Sequence, residues 1–375
     1  MEEKHVLKQS VPLFWPMAAV AAMGQAEVDL FRRNLKFLIE AQKVDHGPKP
    51  RFASGNTVLL DLHTMQLRAF GKPDGGAVPT LVVAPYAGHS ATIADYHKGQ
   101  SLVQTLLEAG HPYVLVTDWK SASLEMKDYD IDNYLAELNV CVDDLGGRVN
   151  LVGLCQGGWM SAMYAARYPE RAASLVLAGS PIDTRAGDGP LKKMVEDSPP
   201  GFYEELVSLG GGLMRGRVML RGWKNMHPDE QYLDKYVRLY EKIDDPEYVS
   251  RTEAFESWYE NPIDLPGRWY LQSITQLFKE NRLARGEFVG LGRRLSLRDI
   301  HCPLYLLAGE SDDITPKEQV FAAEQLVGTP AQQIARAVAP GGHIGLFMGS
   351  KPLRMYWPQI AKWMLDVQGG AGAGR

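Results

Sequence analysis

The stretch Leu151-Val152-Gly153-Leu154-Cys155-Gln156-Gly157-Gly158 decides how this chain is read. An apolar run ends in a Gly-x-Cys-x-Gly turn, and a helical pattern follows over residues 159–168. Such a strand–turn–helix unit presents its central residue on a sharp corner. Side chains two positions to either side would collide there, and glycine removes the collision. The same corner holds Cys155 in strained backbone geometry. A helix that starts directly behind Cys155 points its N-terminal dipole and the Gln156 N–H at a reacting carbonyl, stabilising a thiolate and an oxyanion alike. The plain alternative, a buried structural cysteine beside a glycine turn, leaves the coincidence of strand, turn and helix unexplained.

Two later segments extend the pattern. An apolar run over residues 303–308 leads into Gly309-Glu310-Ser311-Asp312-Asp313-Ile314, and another over 334–339 leads into Pro340-Gly341-Gly342-His343-Ile344-Gly345. Nucleophile, acid, histidine is the chain order of α/β-hydrolases, so Cys155, Asp312 and His343 are expected to form a triad with cysteine in the serine position. His343 would deprotonate Cys155 and later protonate the leaving group, while Asp312 would hold the imidazole tautomer and stabilise its cation. Asp313 competes with Asp312, and its bland reading is a turn or helix cap. In this fold the loop after the third strand donates a second oxyanion N–H to complement that of Gln156. The Tyr86-Ala87 peptide is the candidate, with the Ala87 N–H preferred. Tyr86, His89 and Trp159 are candidate substrate contacts, although an ordinary loop histidine is an equal reading of His89. Asp183 and Arg185 are expected to brace the junction of sheet and cap as an ion pair.

Composition fits a globular enzyme. The 375 residues are 45% hydrophobic and 23% charged, and a net charge of −5 gives no reason to expect nucleic acid. The 3 cysteines, Cys141, Cys155 and Cys302, form neither a disulfide framework nor a metal-ligand spacing. No metal or cofactor is expected. A thiol nucleophile suits a reducing cytosol, so a cytoplasmic location is expected. Residues 11–25 are apolar but too short to span a bilayer, and Glu27, Asp29, Arg32 and Arg33 follow at once. A secretory signal would want a basic start, whereas Glu2 and Glu3 balance Lys4 and Lys8.

Residues 57–62 and 65–70 read as a hairpin. Runs at 80–84, 113–117, 149–153, 175–178, 303–308 and 334–339 read as buried parallel strands with helices between them. The expected fold class is α/β, a mostly parallel doubly wound sheet carrying an inserted helical cap. Over residues 27–41, Val28, Phe31, Leu35, Leu38 and Ile39 recur at helical spacing. That helix is expected to dock on the core of its own chain, or else on an apolar surface, a dimer partner or a lipid-like granule. The alternation of strand and helix stops over 186–288, which is rich in aromatics such as Tyr203, Tyr232, Trp258 and Trp269. So apolar a cap suits an acyl or polyester substrate better than a sugar or nucleotide. The expected division is an N-terminal amphipathic helical segment (1–56), a core (57–185 and 289–368), the cap (186–288) and a flexible glycine-rich tail (369–375).

From about residue 80 onward the chain resembles the cysteine-dependent polyhydroxyalkanoate enzymes, which include polymer synthases and intracellular depolymerases. Gly153-Leu154-Cys155-Gln156-Gly157-Gly158, Asp299-Ile300-His301-Cys302-Pro303 and the His343 turn are similar to the short synthase subunit that works with a partner protein. Ala84-Pro85-Tyr86-Ala87-Gly88-His89-Ser90-Ala91-Thr92, Gly179-Ser180-Pro181-Ile182-Asp183-Thr184-Arg185 and Glu310-Ser311-Asp312-Asp313-Ile314 resemble the depolymerase branch. The resemblance implies a polyester granule or a hydroxyacyl ester or thioester as substrate, a homodimer or partner subunit, and association with granules. Because the 84–92 loop borders the site, the first reading is hydrolysis of a polyhydroxyalkanoate through a thioester acyl-enzyme. The alternatives are a synthase transferring 3-hydroxyacyl groups from CoA, or a small-ester or acyl-CoA hydrolase or acyltransferase on the same fold.

Overall fold

A computed structural model describes residues 25–226 and 235–372. The apolar segment at 11–25, apart from its last residue, and Tyr232 of the cap therefore lie outside the described residues. Eight strands form one sheet: β1 (Thr57–Asp61), β2 (Met65–Gly71), β3 (Thr80–Val83), β4 (Tyr113–Trp119), β5 (Val149–Leu154), β6 (Ala172–Ala178), β7 (Leu304–Gly309) and β8 (Ile334–Ala339). Their order across the sheet is β1-β2-β4-β3-β5-β6-β7-β8. The β1–β2 and β2–β4 pairs are antiparallel and every other pair is parallel. Strands β3, β5, β6 and β7 are buried along their whole length, which is why they read as continuous apolar runs. The carboxyl ends of β5, β7 and β8 open into the three segments singled out from the sequence.

Helices α1 (Gln25–His46), α2 (Leu102–Glu108), α3 (Ile131–Asp144) and α4 (Gln156–Arg167) precede the cap. The cap itself carries α5 (Pro190–Asp197), α6 (Phe202–Leu209), α7 (Gly216–Met226), α8 (Lys235–Glu241), α9 (Pro246–Tyr259) and α10 (Gly267–Gln272), the last continuing as a π-helix over Ser273–Lys279. The junction between core and cap departs from the expected Asp183–Arg185 ion pair. Asp183 Oδ1 instead accepts from the Arg185 N–H at 3.0 Å and from Asn281 Nδ2 at 2.7 Å. The Arg185 guanidinium donates to Lys279 O at 3.1 Å. Thr184 Oγ1 adds a 2.7 Å bond to Leu277 O. Backbone groups exposed where the π-helix ends draw the arginine away from the carboxylate.

Helix α1 docks on the cap, not on the sheet. Phe37 packs against Leu239, Ile243 and Val249 and meets Tyr240 edge-on at 5.4 Å. Arg33 donates to Tyr240 O at 3.1 Å and lies over its ring. Two members of the expected apolar stripe, Leu38 and Ile39, face outward at 63% and 49% exposure. At this end of the helix the contact is made by an aromatic with a cationic neighbour. At the other end, the terminal helix Trp357–Gly372 enters the glycine-rich run that was expected to be a flexible tail from 369. Extending a helix anchored by buried Trp357, Ile360, Ala361 and Met364 is cheap compared with nucleating one. Among the described residues no helix is long and apolar enough to cross a membrane.

Candidate active site

Cys155 sits between β5 and α4 at φ 49° and ψ −116°, a conformation that L-residues rarely adopt. Strand pairing continues up to the corner, where the Cys155 N–H donates to Ala178 O at 2.9 Å. The glycines around it have steric causes. A Cβ on Gly153 would overlap the Gly158 Cα, one on Gly157 the Val83 carbonyl oxygen, and one on Gly158 the Ser180 hydroxyl. The second glycine of the pair thus exists because α4 lies against the end of β6, and Ser180 is a participant that no local pattern announces.

The acid and the histidine arrive from β7 and β8. The Asp312 side chain is fully buried. Its Oδ1 accepts from the Ile314 N–H at 3.1 Å and the Thr315 N–H at 2.8 Å, and its Oδ2 from His343 Nδ1 at 2.8 Å. The carboxylate is therefore held at both oxygens, and it is Asp312, not Asp313, that meets the imidazole. Phe347 stands edge-on to the His343 ring at 5.5 Å. Gly179, at φ +54°, leaves room for the ring, since a Cβ there would come 3.2 Å from His343 Cε1. The His343 turn is braced from behind by Trp357 Nε1, which donates to Leu346 O at 2.8 Å.

Burial by itself would lower the His343 pKa. The negative charges of Asp312 and Cys155, and hydrogen bonds to both, outweigh it and hold the imidazole well above its ordinary value. His343 lies between a carboxylate and a sulfur, and both favour its protonated form. The two other cysteines lie in apolar surroundings, and burial pushes the thiols of Cys141 and Cys302 up to about 12. Cys155, unlike them, shares a hydrogen bond with the His343 ring.

Neither the Gln156 N–H nor the Ala87 N–H donates a hydrogen bond among the described residues. Both are therefore backbone donors without a partner among the described residues. The side chains around Ala87 behave otherwise than expected. Tyr86 is fully buried; its hydroxyl donates to Lys120 O at 3.0 Å and accepts from the Tyr134 hydroxyl at 3.0 Å. His89 lies against Trp258 at 4.6 Å and stacks on Tyr259 at 5.3 Å, with its Nε2 3.0 Å from Tyr259 O. Burial lowers its pKa to about 4, so it is neutral. These two expected substrate contacts are spent on packing, because an aromatic cap offers rings and carbonyls that a loop side chain satisfies at once. Trp159 is buried at 1% exposure and packs on Trp269 of the cap at 5.8 Å. Trp269 was legible only as one of many cap aromatics, because nothing local separates a ring packed near the elbow from one packed elsewhere.

Comparisons with known proteins place this geometry. A poly(3-hydroxyalkanoate) polymerase subunit PhaC of Allochromatium vinosum is 27% identical over 88% of this chain and 93% of its own length. One from Haloferax mediterranei is 29% identical over 77% of this chain, which spans 59% of that protein. Among solved structures, a monoacylglycerol lipase of Paleococcus ferrophilus superposes with a TM-score of 0.50 at 18% identity, over 81% of this chain and 100% of that one. A structure from work on carboxylesterases of Nitrososphaera gargenis gives 0.51 at 16% identity, over 82% and 96%. The likeness to both is one of fold. Residues 56–352 match the family described as "Protein of unknown function (DUF3141)". The chain belongs to that family, is built on the α/β-hydrolase fold, and is related in sequence to the poly(3-hydroxyalkanoate) polymerase subunits.

Proposed function

We propose that this protein is an acyltransferase of the polyhydroxyalkanoate synthase type, with Cys155 as nucleophile, His343 as general base and acid, and Asp312 as its orienting carboxylate. The observation that carries the reading is the setting of Cys155: it is 9% exposed, hydrogen-bonded to the His343 imidazole and covered by an aromatic-rich segment. A thioester formed there is shielded from water, which favours transfer to a hydroxyl over hydrolysis. The polymerase names of the relatives support the same side. The hydrolytic reading leaned on the 84–92 loop as a wall of the site, and that weight falls away once Tyr86 and His89 are packed into core and cap.

In this reading the Cys155 thiolate attacks the thioester carbonyl of a 3-hydroxyacyl-CoA, and the N–H groups of Gln156 and Ala87 receive the oxyanion. The C–S bond to CoA breaks, and His343 gives its proton to the departing thiolate. The terminal hydroxyl of a growing chain then loses its proton to His343 and attacks the acyl-cysteine. A new ester forms and the Cys155 thiolate returns. A location at the surface of a polyester granule belongs to the same proposal.

The test offers the pure protein 3-hydroxybutyryl-CoA and, in parallel, amorphous polymer. CoA release in step with insoluble product and little free acid is expected in the first arm, with little soluble hydroxyacid in the second. Stoichiometric free hydroxyacid without polymer would return the protein to the hydrolases.

A further inference from the structure

Two hydrogen-bond donors near Cys155 have no part in the chemistry just described. Trp159 lies in the first turn of the helix that starts behind Cys155. Trp269, fully buried, comes from α10 of the cap, with its ring 5.8 Å from that of Trp159. Trp269 also stands edge-on to Tyr86 at 5.1 Å, and Tyr86 immediately precedes Ala87. The indole pair therefore lies where the elbow helix, the oxyanion loop and the cap converge.

Neither Nε1–H of the pair meets an acceptor among the described residues. Other buried tryptophans of this chain are satisfied. Trp119, Trp258 and Trp357 each donate at 2.8 Å to a carbonyl, those of Ala84, Ser90 and Leu346. Buried donors are nearly always paired, so two neighbouring orphans call for an acceptor from outside the chain. Gln156 Oε1, on the residue after Cys155, is buried without a donor as well. The helix bearing Trp269 passes directly into the π-helix Ser273–Lys279, a geometry that recurs at functional sites.

We propose that the Trp159 and Trp269 indole N–H groups bind ester carbonyl oxygens of a polyester attached through Cys155, beyond the carbonyl held by Gln156 and Ala87. A polyester has one carbonyl acceptor per monomer and no donor along its length. It satisfies indole N–H groups and lies on indole faces without asking for acceptors in return. A glycan or peptide brings donors that the pair leaves unpaired. A single hydroxyacyl unit has only the carbonyl taken by the oxyanion donors, so the pair distinguishes a chain from a monomer. This inference rests on the acyl-cysteine reading above.

The test uses the full chain with Trp159 or Trp269 replaced, one at a time, by 3-benzothienylalanine, in which sulfur stands for the N–H at nearly unchanged ring shape. Acylation of Cys155 is followed by intact mass with CoA thioesters of 3-hydroxybutyrate and of its linear trimer. The wild type is expected to prefer the trimer. Each replacement is expected to cut that preference about tenfold without lowering the melting temperature. Trp159→Phe and Trp269→Phe provide a second pair of variants lacking the N–H. An unchanged preference in folded variants overturns the inference. A lowered melting temperature with an unchanged preference also overturns it, and assigns the N–H groups to a trapped water. A wild type acylated by neither thioester fails earlier and overturns the acyl-cysteine reading itself.

Discussion

The elbow, residues 153–158, and the loop after β3, residues 86–90, follow neighbouring strands of the sheet and use their polar groups in opposite ways. In the elbow, close packing against Val83 and Ser180 forces glycine, the backbone is strained at Cys155, and the Gln156 N–H stays unspent. In the loop, polar groups are consumed internally: the Tyr86 hydroxyl by Lys120 O and Tyr134, His89 by Tyr259 O, and the Gly88 carbonyl by the Ile263 N–H at 2.8 Å. The Ala87 N–H, like those of Gly88, His89 and Ser90, makes no hydrogen bond among the described residues. Proximity to the reacting atom is thus a poor guide to function; whether a group has already found a partner is a better one.

The largest expected effect separates the two segments by rate. Cys155→Ala and His343→Ala should each lower acyl transfer by about 10⁴-fold or more, because members of such a triad act as a unit. Asp312→Asn should fall by about 10³- to 10⁴-fold through loss of the imidazole tautomer. His89→Gln and Asp313→Asn should change little. Initial rates of CoA release, with circular dichroism as a check on folding, decide the matter. An Asp313→Asn variant slower than Asp312→Asn would transfer the acid role.

The second prediction probes why the elbow is glycine-rich. Gly158→Ala puts a methyl group into the Ser180 hydroxyl and should cost about 3 kcal/mol of stability. Adding Ser180→Gly should restore most of it. Urea unfolding of the single and double variants gives the comparison. A double variant as unstable as the single one would mean that the Ser180 contact is not what demands glycine.

The smallest effect lies in pH. His89 is neutral in the fold, with a native pKa of about 4 against an ordinary 6.5, so the unfolded chain binds a proton that the native one refuses. Stability should fall as pH drops below 6.5, by about 2 kcal/mol at pH 5. His89→Gln, which can still donate to Tyr259 O, should flatten that slope and leave acyl transfer nearly untouched. His343 works in the opposite sense. Its raised native pKa contributes stability that is fully present below the unfolded value and is lost as pH rises through the native one. If His89→Gln leaves the acid slope intact, the loop histidine is not the sensitive group.

Much of the fold was legible because it rests on local patterns. The strands of the central sheet were marked by apolar runs, and the helical stretch before β7 by the point where strand and helix cease to alternate. The proposed site was readable as a chain order: a cysteine on a glycine corner, an aspartate after β7, a histidine after β8. Misreadings gathered where a side chain had to choose among distant partners. Asp183 and Arg185 are near enough in sequence to suggest an ion pair, yet the carboxylate takes Asn281 and the guanidinium takes Lys279 O. The aliphatic stripe of α1 was real as a period, but the docking face was chosen by Phe37 and Arg33 against Tyr240.

The sequence by itself determined the sheet, the elbow and the three segments that converge on Cys155. Apolar periodicity and the steric need for glycine act over a few residues and carry their own signature. Only the tertiary structure decided that Tyr86 and His89 serve packing, that Ser180 imposes the second glycine, and that Trp159 meets Trp269 with both indole N–H groups unpaired. The reason is that hydrogen-bond satisfaction is a property of the whole assembled surface. A loop residue shows which bonds it can make, but the cap, folded from a stretch of chain far along the sequence, decides which of them remain to be made with a substrate.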